Sequence, residues 1–216
     1  MSHPVATVRG EATLQGLPDL AGLSVTVHRS GDSAATVRRA LATASAEVGA
    51  AVEPHREALE SSAGSGVHVA PVFARQGRRV TGYRGTWSSR LSVADFDALG
   101  ELVLALSALD QVAVDGPWWS LRPQNPLQRE ARLAALADAR RRADDYAAAF
   151  GATVVDVLEI SDLDTPAPGM LARSFARAGG GGADEPELDL EPALQTVTGQ
   201  VTVRFALSPA VLDAPA

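Results

Sequence analysis

At 216 residues with an apolar fraction of 46%, the chain is long enough for one large core or for two small subdomains sharing a core. Its formal net charge of -7 excludes a broad electrostatic attraction to nucleic acid or to an anionic lipid surface, since an acidic surface repels both. All 19 basic residues are arginine and cysteine is absent, which removes lysine Schiff-base and phosphate-loop chemistry, disulfides, thiolate nucleophiles and cysteine zinc sites.

The opening MSHPVATVRGEATLQG has no basic patch followed by the apolar run of a signal peptide, so the expected location is the cytoplasm. No stretch approaches the roughly 20 apolar residues of a membrane-spanning helix, and no membrane span is expected. From Ala6 to Leu14, Ala6, Val8, Gly10, Ala12 and Leu14 alternate with polar residues, which predicts a strand with one wet face. Leu17-Pro18-Asp19 reads as a turn. Leu23, Val25 and Val27 alternate with Ser24, Thr26 and His28 in a second strand, expected to pair antiparallel with the first.

Gly31-Asp32-Ser33 supplies an N-cap for an amphipathic helix whose stripe is Val37, Leu41, Ala44 and Val48, ending near Gly49. Val67, Val69 and Phe73 suggest a third strand, and Gln76-Gly77-Arg78 the turn into a fourth. In that fourth strand Tyr83, Gly85, Trp87, Ser89, Leu91 and Val93 share a face. Ser92 and Asp95 resemble a capping box for a second helix with the stripe Phe96, Leu99, Val103 and Leu106. A short strand around Val112 to Val114 is expected to break at Asp115-Gly116-Pro117, ahead of Trp118 and Trp119.

The longest helix is predicted from Leu127 to Phe150, with Leu136, Ala139, Ala143, Tyr146, Ala147 and Phe150 in one arc and Gly151 as its left-handed stop. So many alanines on the buried side imply a close approach to a neighbour. Arg140, Arg141 and Arg142 lie in different directions around this helix near Asp138, Asp144 and Asp145, a pattern of intrahelical ion pairs on a solvated face. Thr153 to Ile160 reads as a strand. Residues 162–194 lose periodicity and gather proline, the run Gly179 to Gly182 and an acidic string at 184–191, forming a long loop. Val197, Gly199, Val201, Val203, Phe205 and Leu207 then alternate in a final strand long enough to be central or connecting.

The order ββαββαβαββ, with one apolar face per clear strand, predicts an α+β fold of largely antiparallel sheets with helices packed on one face. It disfavours doubly wound and (β/α)8 topologies, whose parallel strands are buried on both sides. The repetition permits two sandwich subdomains.

Chemistry is sparse. His3, His28, His55 and His68 fall at a terminus, on polar strand faces and in a loop, with no paired spacing, so no metal site is expected. There is no nucleophile elbow, the glycine run lacks a following Lys-Ser/Thr, and the acidic string lacks the ligand order of a calcium loop. Asp95 and Asp97 lie on different sides of a helix start and make a poor acid/base pair. Trp118 and Trp119 are the more informative feature. Adjacent residues of a strand face opposite ways, so one tryptophan can enter the core while the other serves as a lid, an oligomer contact or a ligand shelf.

Several short motifs, in order, are similar to the SIMPL-domain family. They are Val8-Arg9-Gly10-Glu11-Ala12-Thr13, then Pro18-Asp19, then Gly82-Tyr83 ahead of a long strand. Ala131-Arg132 follows, running into 138–147 (DARRRADDYA) and then Phe150-Gly151-Ala152, with the closing strand Val197 to Leu207 after a long loop. The resemblance spans residues 5–208. It implies an α+β fold of two intertwined subdomains. The relatives it brings in are described as oxidative-stress defence proteins, periplasmic immunogenic antigens or a kinase-associated signalling adaptor, and some assemble into rings or channel-like oligomers. It carries no catalytic residue across, and the missing export signal and the acidic glycine-rich loop depart from it.

The resulting expectation is a non-enzymatic, self-associating binding or assembly module linked to stress defence. It forms a homo-oligomer and has no cofactor, no metal and no nucleic-acid partner. Two alternatives stand beside it. One is a hydrolase with a site of dispersed Asp, Arg and His; the other is a small-ligand or peptide binder using Tyr83 and Trp87 or Trp118 and Trp119.

Overall fold

The computed structural model of the chain describes residues 3–74, 79–162 and 190–210. Its elements are β1 (Val5–Gly16), β2 (Leu20–Gly31), α1 (Ala34–Val52), β3 (Leu59–Phe73), β4 (Val80–Val93), α2 (Leu99–Ser107), β5 (Val112–Ser120), α3 (Pro126–Ala148), β6 (Val154–Ser161) and β7 (Gln195–Leu207). The order ββαββαβαββ and the α+β class are as the sequence predicts. A short 3-10 helix, Glu53–Ala58, joins α1 to β3. The chain divides into two compact units, the second inserted between β1 and α3 of the first.

The first unit is a three-stranded antiparallel sheet, β1-β7-β6, with α3 on one face. Its central strand is β7, paired along its whole length with β1, from Val5 opposite Ala206 to Gly16 opposite Gln195. The helix side of this sheet carries Val8, Val201, Val203 and Phe205, and they meet Ala135, Ala139 and Ala143 of α3. α3 lies over β1 and β7 and only grazes β6.

The buried stripe of α3 is Ala131, Ala135, Ala139, Ala143 and Ala147, one residue in every four. Tyr146 and Phe150, expected within the buried arc, are exposed. A stripe repeating every four residues drifts by about 40° per repeat around a 3.6-residue helix, so the contact line slants across the helix and leaves both rings outside it. Gly151 stops the helix with φ 63°, as predicted.

The second unit is a four-stranded antiparallel sheet ordered β3-β4-β2-β5. α1 and α2 cover one face and enclose Ala21, Leu23, Val25 and Val27 of β2 with Leu91 and Val93 of β4. Val37, Leu41, Ala44 and Val48 form the inner stripe of α1, joined by Val52 because the helix runs past Gly49. Ser33 caps it, its Oγ accepting the Thr36 backbone N–H at 3.1 Å.

Four local expectations change. β1 pairs with β7 and not with β2, because the apolar face of β1 is buried by α3 whereas that of β2 is buried by α1. Ser92 remains in β4 and caps nothing. Asp95 Oδ1 instead accepts the Asp97 backbone N–H at 3.1 Å, and α2 starts at Leu99 with no side-chain cap. Its buried stripe is Leu99, Leu102 and Leu106, with Phe96 ahead of the helix and Val103 only half-buried.

The fourth change concerns β5, which continues through Gly116-Pro117 to Ser120 where a break is expected. It does so with Gly116 at φ 121°, where a Cβ would meet the Gly22 carbonyl oxygen at 2.6 Å, and with a register irregularity between Gly22 and Ser24. The predicted Gln76-Gly77-Arg78 turn and residues 163–189 of the predicted loop lie outside the described residues.

Candidate functional site

The four aromatic residues singled out in the sequence do not gather at one place. Tyr83 and Trp87 sit on the helix side of β4, half-buried against the core of the second unit. Trp119 is also on that side, 8% exposed, with its ring edge-on to Phe96 at 5.0 Å and 74°. Trp118 faces the other way, 43% exposed, over Gly22 of the neighbouring strand.

Among the described residues no group of three or more His, Asp and Glu side chains could hold a metal ion, and every buried side-chain nitrogen or oxygen has a partner. No described helix is long and apolar enough to cross a membrane. A cleft of about 220 Å³ in the first unit is lined by Arg132, Leu136, Ile160, Asp162, Gln200 and Val201. Among the described residues its floor is apolar, with Arg132 and Asp162 as the ionisable groups.

The informative surfaces are the free sheet edges. An unpaired edge strand is a template for another strand, so proteins usually blunt it with charge, proline, bulges or a covering side chain. β3 carries Pro71 and three register irregularities. β5 carries Pro117 and a register irregularity against β2.

β1 is blunted from α3. Asp138 Oδ2 accepts the Glu11 backbone N–H at 3.1 Å, and Arg142 Nη1 donates to the Arg9 carbonyl at 2.7 Å. Both backbone groups point away from β7, so two helix side chains occupy hydrogen-bonding positions on the outer edge of β1. Arg141 also pairs with Asp138, and Arg140 with Asp144 at 2.9 Å. The intrahelical pairs expected from the charge pattern are therefore present, but Asp138 and Arg142 also reach a strand. Asp138→Ala should cost about 1–2 kcal/mol, read as a lower urea midpoint, because it strands the Glu11 N–H and removes the partner of Arg141.

β6 carries two register irregularities against β7 and the charged Asp156 and Glu159, but no described side chain from a helix lies on its outer edge as Asp138 and Arg142 do on that of β1. Its sequence, VVDVLEIS, holds no proline, glycine, lysine or arginine. Val155, Val157, Leu158 and Ile160 are each between 47% and 58% exposed. Glu159 and Arg204 form an ion pair at 3.0 Å that ties β6 to β7, away from the open edge. Among the described residues no side chain of another element bonds that edge. The sequence predicts a strand at Thr153 to Ile160, as found, but not which of its edges is open.

The profile of the SIMPL family, described as proteins of unknown function (DUF541), matches residues 6–205. The chain belongs to the SIMPL family. Its SIMPL domain thus takes in both sheets and all three helices. Among curated proteins none matches the chain. One solved structure that the SIMPL chain resembles is described as an unknown protein from Galdieria sulphuraria. It is 17% identical, with 88% of this chain and 83% of that one covered and a TM-score of 0.24.

Proposed function

We propose that this SIMPL protein is a self-associating assembly module whose first unit joins a second copy through β6. The observation that supports this reading is the half-exposed apolar row of β6, on whose outer edge, among the described residues, no side chain of another element bonds, whereas Asp138 and Arg142 occupy that of β1. Antiparallel pairing of β6 with β6 of another copy about a two-fold axis satisfies the open backbone groups of both and covers Val155, Val157, Leu158 and Ile160 at once. Covering those side chains supplies the hydrophobic term, at about 25 cal/mol per Å² of apolar surface removed from water. The resemblance to oxidative-stress defence proteins supports placing this assembly in a stress response.

Light scattering on the purified chain across a wide concentration range tests the reading. The native chain is expected as a dimer or a multiple of dimers. Val155→Lys/Leu158→Lys, which puts charge at two half-exposed positions of β6 that are not in register with a core residue of β7, is expected as monomer with unchanged circular dichroism. A native chain that stays monomeric throughout, or a double variant that associates as before, refutes it.

A further inference from the structure

Two of the chain's four histidines are brought into one row on the outer face of the second unit's sheet, the face opposite α1 and α2. Thr86 of β4 lies directly opposite His28 of β2 on one side and directly opposite His68 of β3 on the other. Residues paired in register point to the same face, so the three side chains stand side by side with threonine in the middle. Both imidazoles are exposed. The His28 ring leans towards β4, its Nδ1 lying 3.4 Å from Thr86 Oγ1.

We propose that His28 and His68 form a binding site for a divalent transition-metal ion, held above Thr86. The two outer strands of a three-strand row lie about 10 Å apart. An imidazole reaches roughly 4.5 Å from its Cα to the far nitrogen and a metal–nitrogen bond adds about 2 Å, so two rings leaning inwards over a short threonine can span the roughly 10 Å between the strands and meet at a single ion. The donor set is two neutral nitrogens with water completing the sphere. It favours Cu2+ over Ni2+ and Zn2+ and does not suit Ca2+ or Mg2+, which take oxygen ligands.

The surroundings set the strength of the site. Arg84, one step along β4 between Ser30 and Ala70, shares the face and is the nearest cation to the row. Its repulsion of a dication about 7 Å away in water weakens binding by less than about tenfold. Arg90 and Asp115, both opposite Ser24, lie further along the same face, and Ser88 and Thr26 fill the row between. The backbone N–H of His28 donates to the Gln111 carbonyl oxygen at 3.1 Å, a bond in which the imidazole takes no part. The site is therefore open to solvent, two-ligand and of modest affinity.

The test is calorimetric titration of the full chain with CuCl2 and NiCl2 in a non-coordinating buffer. It is done in a His3→Ala background, so that the histidine near the chain start contributes nothing. One equivalent is expected to bind, with Cu2+ tighter than Ni2+. His28→Ala and His68→Ala should each weaken binding by about tenfold or more, because each turns a two-point attachment into a single one. Arg84→Gln should tighten it by up to about tenfold. His28 and His68 are exposed, so these variants keep the fold, which circular dichroism checks. Binding that survives His28→Ala/His68→Ala, dependence on only one of the two histidines, or no heat with either metal overturns the proposal.

Discussion

Gly10→Ala should destabilise the first unit by about 3 kcal/mol or more, although it adds a single methyl group. A Cβ at Gly10 would lie within 3.0 Å of the Ala135 carbonyl oxygen and of the Ala139 nitrogen and Cβ. Two of those three atoms are backbone, so no rotamer can yield and α3 must move off the sheet. Gly199 on β7 stands in the same relation to Ala131 and the nitrogen of Arg132. The effect of Gly199→Ala should be as large. The double variant should lose less than the sum, because a helix displaced for one methyl has already made room for the other. Gly49→Ala is the control. No atom lies within 4 Å of a Cβ there, and mid-helix alanine in place of glycine should raise stability by about 0.5–1 kcal/mol. Urea unfolding followed by circular dichroism measures all four; a Gly10→Ala midpoint equal to the native one would mean that α3 does not sit this close.

The second large effect separates two neighbouring tryptophans. Trp119→Ala should cost about 3–5 kcal/mol, since it removes a buried ring and leaves Phe96 without its edge-to-face partner. Trp118→Ala should change stability by no more than about 0.5 kcal/mol, since that ring lies on the exposed face over Gly22. Thermal unfolding of the two variants reads the difference directly. Comparable melting temperatures would contradict the opposite orientations of the pair.

Those orientations were legible in the sequence, because neighbouring strand residues must alternate once β5 is known to be extended. So were the inner faces of β2, β4 and β7 and the stripe of α1, where large and small residues mark the period unambiguously. The stripe of α3 was legible in part: Ala139, Ala143 and Ala147 fall in the predicted arc and are buried, whereas Ala131 and Ala135 lie outside it. It consists of alanine alone, and the large apolar residues Tyr146 and Phe150 lie beside the contact line and draw a conventional helical arc towards themselves. The informative signal was split between elements, since glycine at 10 and 199 in the strands and alanine at every fourth position in the helix describe the same close contact.

Pairing was legible only in part. Leu17-Pro18-Asp19 suggests a hairpin between β1 and β2, yet strands whose apolar faces serve different helices belong in different sheets. The alignment of His28, Thr86 and His68 depends on the register of two strand pairs, one of them shifted by irregularities at Leu59/Ser61 and Gly64/Gly66. Nothing in the spacing of the histidines reveals it. The exposure of β6 was hidden for a related reason, since its neighbours, and hence its open edge, follow from topology and not from its residues.

The contacts that Asp138 and Arg142 make with β1 also set how many copies the first unit can join. With the middle of one margin occupied by the protein's own side chains, the three-stranded sheet has a valence of one. The proposed pairing through β6 would use that valence in both copies and give a closed, six-stranded continuous sheet with no further growth point at either end. On that proposal, a pair of carboxylate and guanidinium groups on one helix makes edge-to-edge association a terminating step rather than the first step of a fibre.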